Sequence, residues 1–371
     1  MRKVKEILTL ECLEQRFLSV APENGFCVNK LPNLPSDMEK TISQDMARAD
    51  VAMLAQLLIQ AYGGWPFYPK LLRRKILTVL LRIYDSISGP VKICELYERL
   101  KPIVAMMPDR HIMIVADKNP MINIETPINV GDNLVTARHI KEPYLIEKQG
   151  RIGIIALSRF FEPKDLEDIR QQVLNIMTKT DAIIVDLRNN GGGSMHIASM
   201  LGKTLSGFDL IPRSRRMFAR NTPLARKLQQ YITDFPAIKT IANNAPDPVM
   251  IVDNSKFKMS KNHKWAFGGK IYILVNNRSA SSSETVIEYL KYNPNTKLIG
   301  THTSGCNQYI HYRFIELARS GIHVRLPLVY KEIAHVKSQK FEMHGYAPDI
   351  ECTPGTDAFK VAMDMIQGEL L

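Results

Sequence analysis

Residues 182–194 read AIIVDLRNNGGGS. Ala182, Ile183, Ile184 and Val185 form an apolar run with no alternation, the pattern of a strand covered on both faces in a parallel sheet. Asp186, Leu187, Arg188, Asn189 and Asn190 then lead into Gly191, Gly192 and Gly193, and a helix is expected from about Met195. Consecutive glycines between a strand and a helix start let backbone N–H groups face a ligand, which suits a phosphate or an oxyanion; such loops also occur as tight turns without a ligand. The G-x-G-x-x-G spacing and the P-loop Gly-Lys-Ser/Thr are missing, so nucleotide binding is not expected.

Outward from this stretch, IMIVA (112–116), GRIGIIAL (150–157) and KIYILVNN (270–277) are further short β-branched runs. A helical pattern, PKDLEDIRQQVLNIM (163–177), lies among them. Strands alternating with helices predict an α/β layer fold. QYIHYRFIEL (308–317) and GIHVRLPLVY (321–330) read as a hairpin about ARSG. Before residue 108 the apolar residues recur at helical spacing. A capping box at Ser36 and Glu39 opens the first helix, which stops at Gly63-Gly64; a second starts at Pro69, and a third covers VKICELYERLK (91–101) before Pro102. The reading is a helical amino-terminal domain over 1–108 and an α/β domain over 109–371, with an irregular basic insertion around 212–270.

The chain has 371 residues, 45% hydrophobic and 23% charged, which is ordinary globular composition and excludes disordered, collagenous and coiled-coil classes. A net charge of +12 favours acidic partners in general, but no zinc-finger spacing or RNP-type motif accompanies it, and a nucleic-acid partner is not expected. The five scattered cysteines include no C-x-x-C pair, the pattern of reduced thiols, and none of the histidines has metal spacing, so no metal is expected. No signal peptide or bilayer-length apolar stretch is readable, which predicts a cytoplasmic location without a membrane span.

Three further places can carry chemistry. In ILVNNRSASSSETVIEYL (273–290) a strand turns into a helix near Ser282; Ser281 and Glu284 fit a capping box, and equally Ser281 sits where a serine nucleophile would face a helix N-terminus. His111, in Asp109-Arg110-His111, precedes a strand and can be structural or a base. Glu342, in FEMHGYAPDIE (341–351), can be a surface carboxylate or a functional one.

Taken together and in order, these segments resemble the tail-specific, or carboxy-terminal processing, serine protease family and its relatives around the tricorn protease core. The resemblance runs from about Asp109 to Thr353. It rests on Asp186-Leu187-Arg188-x-Asn190-x-Gly192-Gly193, the Ser279–Glu284 turn, Gly300-x-x-Thr303-x-Gly305, the hairpin, and Gly345-x-x-Pro348-Asp349-Ile350. It implies a ClpP/crotonase-like core of strand-strand-helix units and a cofactor-free serine endopeptidase acting on polypeptides, with a homo-oligomer as an option. Ser281 is then the nucleophile, and the N–H groups of Gly192, Gly193 and Ser282 form the oxyanion hole. The Ser/Lys branch reads T-x-G-K where this chain has Thr303-Ser304-Gly305-Cys306, so that base is missing, and a thiol cannot simply replace it. The tricorn-like branch takes a histidine and a glutamate, which fall on His111 and Glu342; His302 and His344 are fallback bases. About forty residues separate His111 from the Gly150 strand, too few for the PDZ domain usual in the family. A family member that binds a peptide or small ligand without catalysis is the alternative, and a crotonase-type acyl-CoA enzyme is a more distant one.

Overall fold

A computed structural model describes residues 8–20, 27–29, 35, 37–116, 144–160, 166–209, 216–232, 235–254, 263–333 and 341–370. These pack as two compact units whose segments alternate along the chain: one draws on Met1–Ile122, Arg216–Asp253 and Tyr309–Glu332, the other on Asn123–Arg215, Asn254–Gln308 and Ile333–Leu371. Elements are numbered along the whole chain.

The first unit joins helices α1 (Leu10–Leu18), α2 (Gln44–Gln56), α3 (Lys70–Ser86), α4 (Ile93–Ala105) and α7 (Pro223–Gln229) to a sheet. Its strands are β1 (Val28–Asn29), β4 (Met113–Val115), β8 (Arg216–Ala219), β9 (Val249–Asp253), β12 (Tyr309–Glu316) and β13 (His323–Lys331). Their order is β1-β12-β13-β8-β9, with β4 also paired to β13. Strands β2 (Thr41–Ile42) and β3 (Val91–Lys92) make a small separate ladder. The expected hairpin is β12–β13, antiparallel with Phe314 opposite Arg325. The helix expected from Ser36 begins instead at Gln44, because the Ser43 side chain caps it by accepting from the Met46 N–H at 3.3 Å; Ser36 lies outside the described residues. The helix then passes through a π-helical turn, Leu57–Ala61, and ends before Gly63-Gly64. Helix α3 follows Pro69 as expected, whereas α4 continues through Pro102.

The second unit is the α/β core. Strands β5 (Tyr144–Gln149), β6 (Ile152–Leu157), β7 (Ala182–Asp186), β10 (Lys270–Val275), β11 (Thr296–Gly300) and β14 (Ile350–Glu351) form one sheet in the order β14-β11-β10-β7-β6-β5, parallel except for β5. Helices α5 (Leu166–Met177), α6 (Met195–Ser206) and α8 (Ser282–Leu290) cover one face, where Ile183 and Val185 point; α9 (Ala358–Leu370) covers the other, where Ala182 and Ile184 point. Period-two burial on both faces is what makes 182–185 apolar at every position.

The run 112–116 is a strand, but it adds to β13 in the first unit rather than to the parallel sheet. The segment expected as an insertion supplies β8 and β9 to the same sheet of the first unit. Two of its basic residues are engaged within that unit: Arg216 pairs with Glu332 at 2.6 Å, and Arg220 pairs with Asp247 at 2.7 Å. Arg213, Arg215, Lys256, Lys258 and Lys261 lie outside the described residues, as does the stretch 117–143 where a PDZ domain was not expected. Among the described residues no helix is long and apolar enough to cross a membrane.

Candidate active site

In the second unit, β7 and β10 end side by side, so the two strand-to-helix turns that follow them meet. Asn190 joins them: its Nδ2 donates to the Leu157 carbonyl at 3.0 Å, and its own carbonyl accepts the Ala280 N–H at 3.0 Å and the Ser283 hydroxyl at 2.8 Å. Ser279 donates its hydroxyl to the Leu187 carbonyl at 2.8 Å, and Ser282 donates to the Gly193 carbonyl at 2.8 Å. Three of the four serines in this turn are therefore fasteners, fully buried.

Ser281 differs. It is half-buried and adopts φ 55°, ψ −112° at the cap of α8, a left-handed corner that side-chain-bearing residues seldom occupy. A Cβ built on Gly192 would lie 2.7 Å from the Ser281 Cβ, so only glycine lets the loop approach this closely. Gly193 has φ 130°, and its missing Cβ would fall on the Phe160 carbonyl. Phe160 uses both its backbone groups on this loop, donating to the Gly192 carbonyl at 2.9 Å and accepting from the Ser194 N–H at 2.8 Å.

The Gly192 N–H donates to Asn190 Oδ1 at 2.9 Å. Among the described residues the Gly193 and Ser282 N–H groups have no acceptor. Of the three amides expected to serve together, those of Gly193 and Ser282 are thus the ones left without an acceptor. Gly192 contributes by its lack of a side chain rather than by its N–H.

Glu284 holds the Ser281 corner from within. Its Oε2 accepts the N–H groups of Ser281 (3.1 Å) and Cys306 (2.8 Å), and its Oε1 accepts the Thr303 hydroxyl and the Gly305 N–H, both at 2.7 Å. Burial pushes its pKa up to about 6, against the pull of these four donors. The capping pattern at Ser281 and Glu284 is visible in sequence, but three of the donors come from residues 19–22 positions further on and could not be read there.

Glu342 belongs to the same cluster. It is buried, and its Oε2 accepts the N–H groups of Asn307 (3.3 Å) and Gln308 (3.1 Å); its own N–H donates to Gln308 Oε1 at 2.9 Å. Its segment is laced to the 303–305 loop by Met343 N–H to the Gly305 carbonyl at 2.8 Å and Tyr346 N–H to Thr303 Oγ1 at 2.8 Å. Gly305 and Gly345 make that approach possible, since a Cβ on either would come within 2.4 Å of the opposing backbone. The Cys306 sulfur, also buried, lies within 4.8 Å of a Glu342 carboxylate oxygen. His302 and His344 are exposed, and a ring nitrogen of each contacts a backbone carbonyl, that of His344 at 3.2 Å and that of Glu342 at 3.1 Å respectively.

His111 lies in the first unit. Asp109 Oδ1 accepts the His111 N–H at 2.7 Å and the Ile112 N–H at 3.3 Å, and Arg325 donates to the carbonyls of His111 (2.5 Å) and Arg110 (3.1 Å). The ring stacks on Tyr312, with centroids 5.8 Å apart. Burial, with the nearby positive charges of Arg325 and Lys331, depresses the His111 pKa to about 3, so the imidazole is neutral at ordinary pH. Because the unfolded chain protonates near 6.5 and the folded one near 3, this group costs the fold stability as pH falls between those values. Histidine ring NMR, with the signal assigned by His111→Gln, is expected to show no titration of His111 between pH 8 and 5; a midpoint near 6.5 would contradict its burial.

The layered strand-strand-helix core of the second unit is that of the ClpP/crotonase-like fold. The chain belongs to Peptidase family S41, whose sequence profile matches residues 151–352. A crystal structure of a candidate peptidase from Parabacteroides merdae is similar, at 16% identity and TM-score 0.54, over 86% of this chain and 96% of that one. Mature CPAF is similar at 11% identity and TM-score 0.51, over 83% of this chain and 92% of that one. No curated protein matches the sequence.

Proposed function

We propose that the protein is a serine endopeptidase that cleaves polypeptides through an acyl-enzyme on Ser281. His111 serves as general base and acid, and Glu342 orients and stabilises the imidazolium. The observation that carries this reading is the Ser281 corner: a half-buried serine at positive φ on a helix N-terminus, beside two N–H groups with no acceptor among the described residues.

In this mechanism the Ser281 Oγ attacks the scissile carbonyl carbon and passes its proton to the neutral His111 ring. The carbonyl oxygen becomes an oxyanion that accepts the N–H groups of Gly193 and Ser282, aided by the positive end of α8. Collapse breaks the C–N bond, and the imidazolium returns its proton to the leaving amine. Water, deprotonated by His111, then hydrolyses the ester. The lysine of the Ser/Lys branch has no counterpart at Cys306, which is why the base is assigned to a histidine.

A fluorophosphonate probe followed by intact mass and peptide mapping tests the reading. One adduct on Ser281 is expected, slowed by orders of magnitude in His111→Ala. Absence of an adduct would favour a ligand-binding member of the family.

A further inference from the structure

Tyr62 is fully buried, and Tyr68 and Asp109 nearly so. The Tyr62 hydroxyl donates to Asp109 Oδ2 at 2.8 Å and shares a second hydrogen bond of 2.8 Å with the Tyr68 hydroxyl. Tyr309 stacks on Tyr62, with centroids 5.8 Å apart, and meets Tyr68 edge-on at 6.0 Å. Gly63 and Gly64 let this aromatic group dock. The Gly63 N–H donates to the Pro327 carbonyl at 3.1 Å, and a Cβ on Gly64 would come within 2.5 Å of Tyr309 and 2.6 Å of the Tyr62 hydroxyl.

Buried hydroxyls and a buried carboxyl stabilise a fold little compared with apolar groups of the same shape. Phenylalanine would fill the same volume at 62 and 68. What the hydroxyls add is a fixed position for Asp109, and what Asp109 adds is a fixed backbone at residues 110–112, through the N–H groups of His111 and Ile112. Arg325 holds the His111 carbonyl, so the backbone that aims the ring is gripped at both ends.

We infer that Tyr62, acting with Tyr68 through Asp109, is a positioning residue for the His111 base, so that the helical segment bearing the tyrosines tunes turnover. This rests on the serine-peptidase reading above. Its consequence is that loss of one hydroxyl, with no change in packed volume, reduces the chemical step without reducing affinity.

The test is the saturation kinetics of fluorophosphonate labelling on the full chain, separating the limiting rate from the half-saturating concentration. Melting temperature is recorded alongside, in the parent, Tyr62→Phe, Asp109→Ala and Asp109→Asn. Tyr62→Phe and Asp109→Ala are expected to lower the limiting rate about 10- to 100-fold at unchanged half-saturation, as for a reacting group displaced by a fraction of an ångström to an ångström. Asp109→Asn keeps an oxygen for the two N–H groups and can donate to the Tyr62 oxygen, so it is expected to stay within about 3-fold of the parent. Lowered melting temperatures with an unchanged limiting rate in Tyr62→Phe would overturn the inference and leave the peptidase reading standing. A parent protein that takes no label would remove the reading and the inference together.

Discussion

Ser281→Ala is expected to abolish peptide hydrolysis and probe labelling, by a factor of about 10⁴ or more, while leaving the fold intact. The other serines of the turn hold it closed through hydroxyl bonds to Leu187, Asn190 and Gly193, and these are untouched. Removing Ser281 Oγ also leaves the Glu284 bond to the residue-281 N–H in place. The sharper form of the prediction is Ser281→Gly. At φ 55° glycine relieves the strain that any side chain imposes, so this variant is expected to be as stable as the parent or to gain up to about 1 kcal/mol, despite losing all activity. Urea unfolding beside the labelling assay checks both. Residual hydrolysis above about 1% in either variant would remove Ser281 from the role of nucleophile.

Glu284→Gln is expected to cost about 2–4 kcal/mol of stability and to reduce labelling of Ser281 at least tenfold. Both carboxylate oxygens accept two donors each. Whichever way the glutamine amide is turned, its nitrogen faces an N–H group and leaves buried donors unmet, at about 1–3 kcal/mol each. The pH dependence follows from the sign of the shift. The folded pKa of about 6 lies above the ordinary 4.5, so the favourable contribution of protonated Glu284 is complete below 4.5 and lost as pH rises through 6. The stability gap between parent and variant should therefore narrow by about 2 kcal/mol from pH 4 to pH 7. Activity runs the other way: ionised Glu284 holds the Ser281, Gly305 and Cys306 amides, so labelling should fall in the parent below about pH 6 and lack that limb in the variant. A stability gap that stays constant with pH would show that Glu284 does not titrate in this range.

The resemblance to carboxy-terminal processing proteases is legible because the residues that carry it are short-range. Asp186, Asn190 and the two glycines lie within eight positions, and Ser279 to Glu284 within six, so each turn is specified locally by strand period, glycine and serine. The same locality misleads at Ser36, where a capping pattern competes with Ser43 seven residues later, and at 112–116, where a β-branched run is equally at home in either sheet.

By itself, the sequence determined the α/β core, the helical start, the β12–β13 hairpin and the membership of a peptidase family, since each depends on periodicity or on spacing within a few residues. Only the tertiary structure decided that the Gly192 N–H is already engaged, since the Asn190 side chain takes it. It also decided that Glu284 anchors a loop some twenty residues away, that Tyr62 reaches Asp109 across 47 positions, and that the two units are woven from alternating segments. These are contacts between residues far apart in the chain, and one-dimensional spacing carries no signal for them until the fold brings the partners within hydrogen-bond reach.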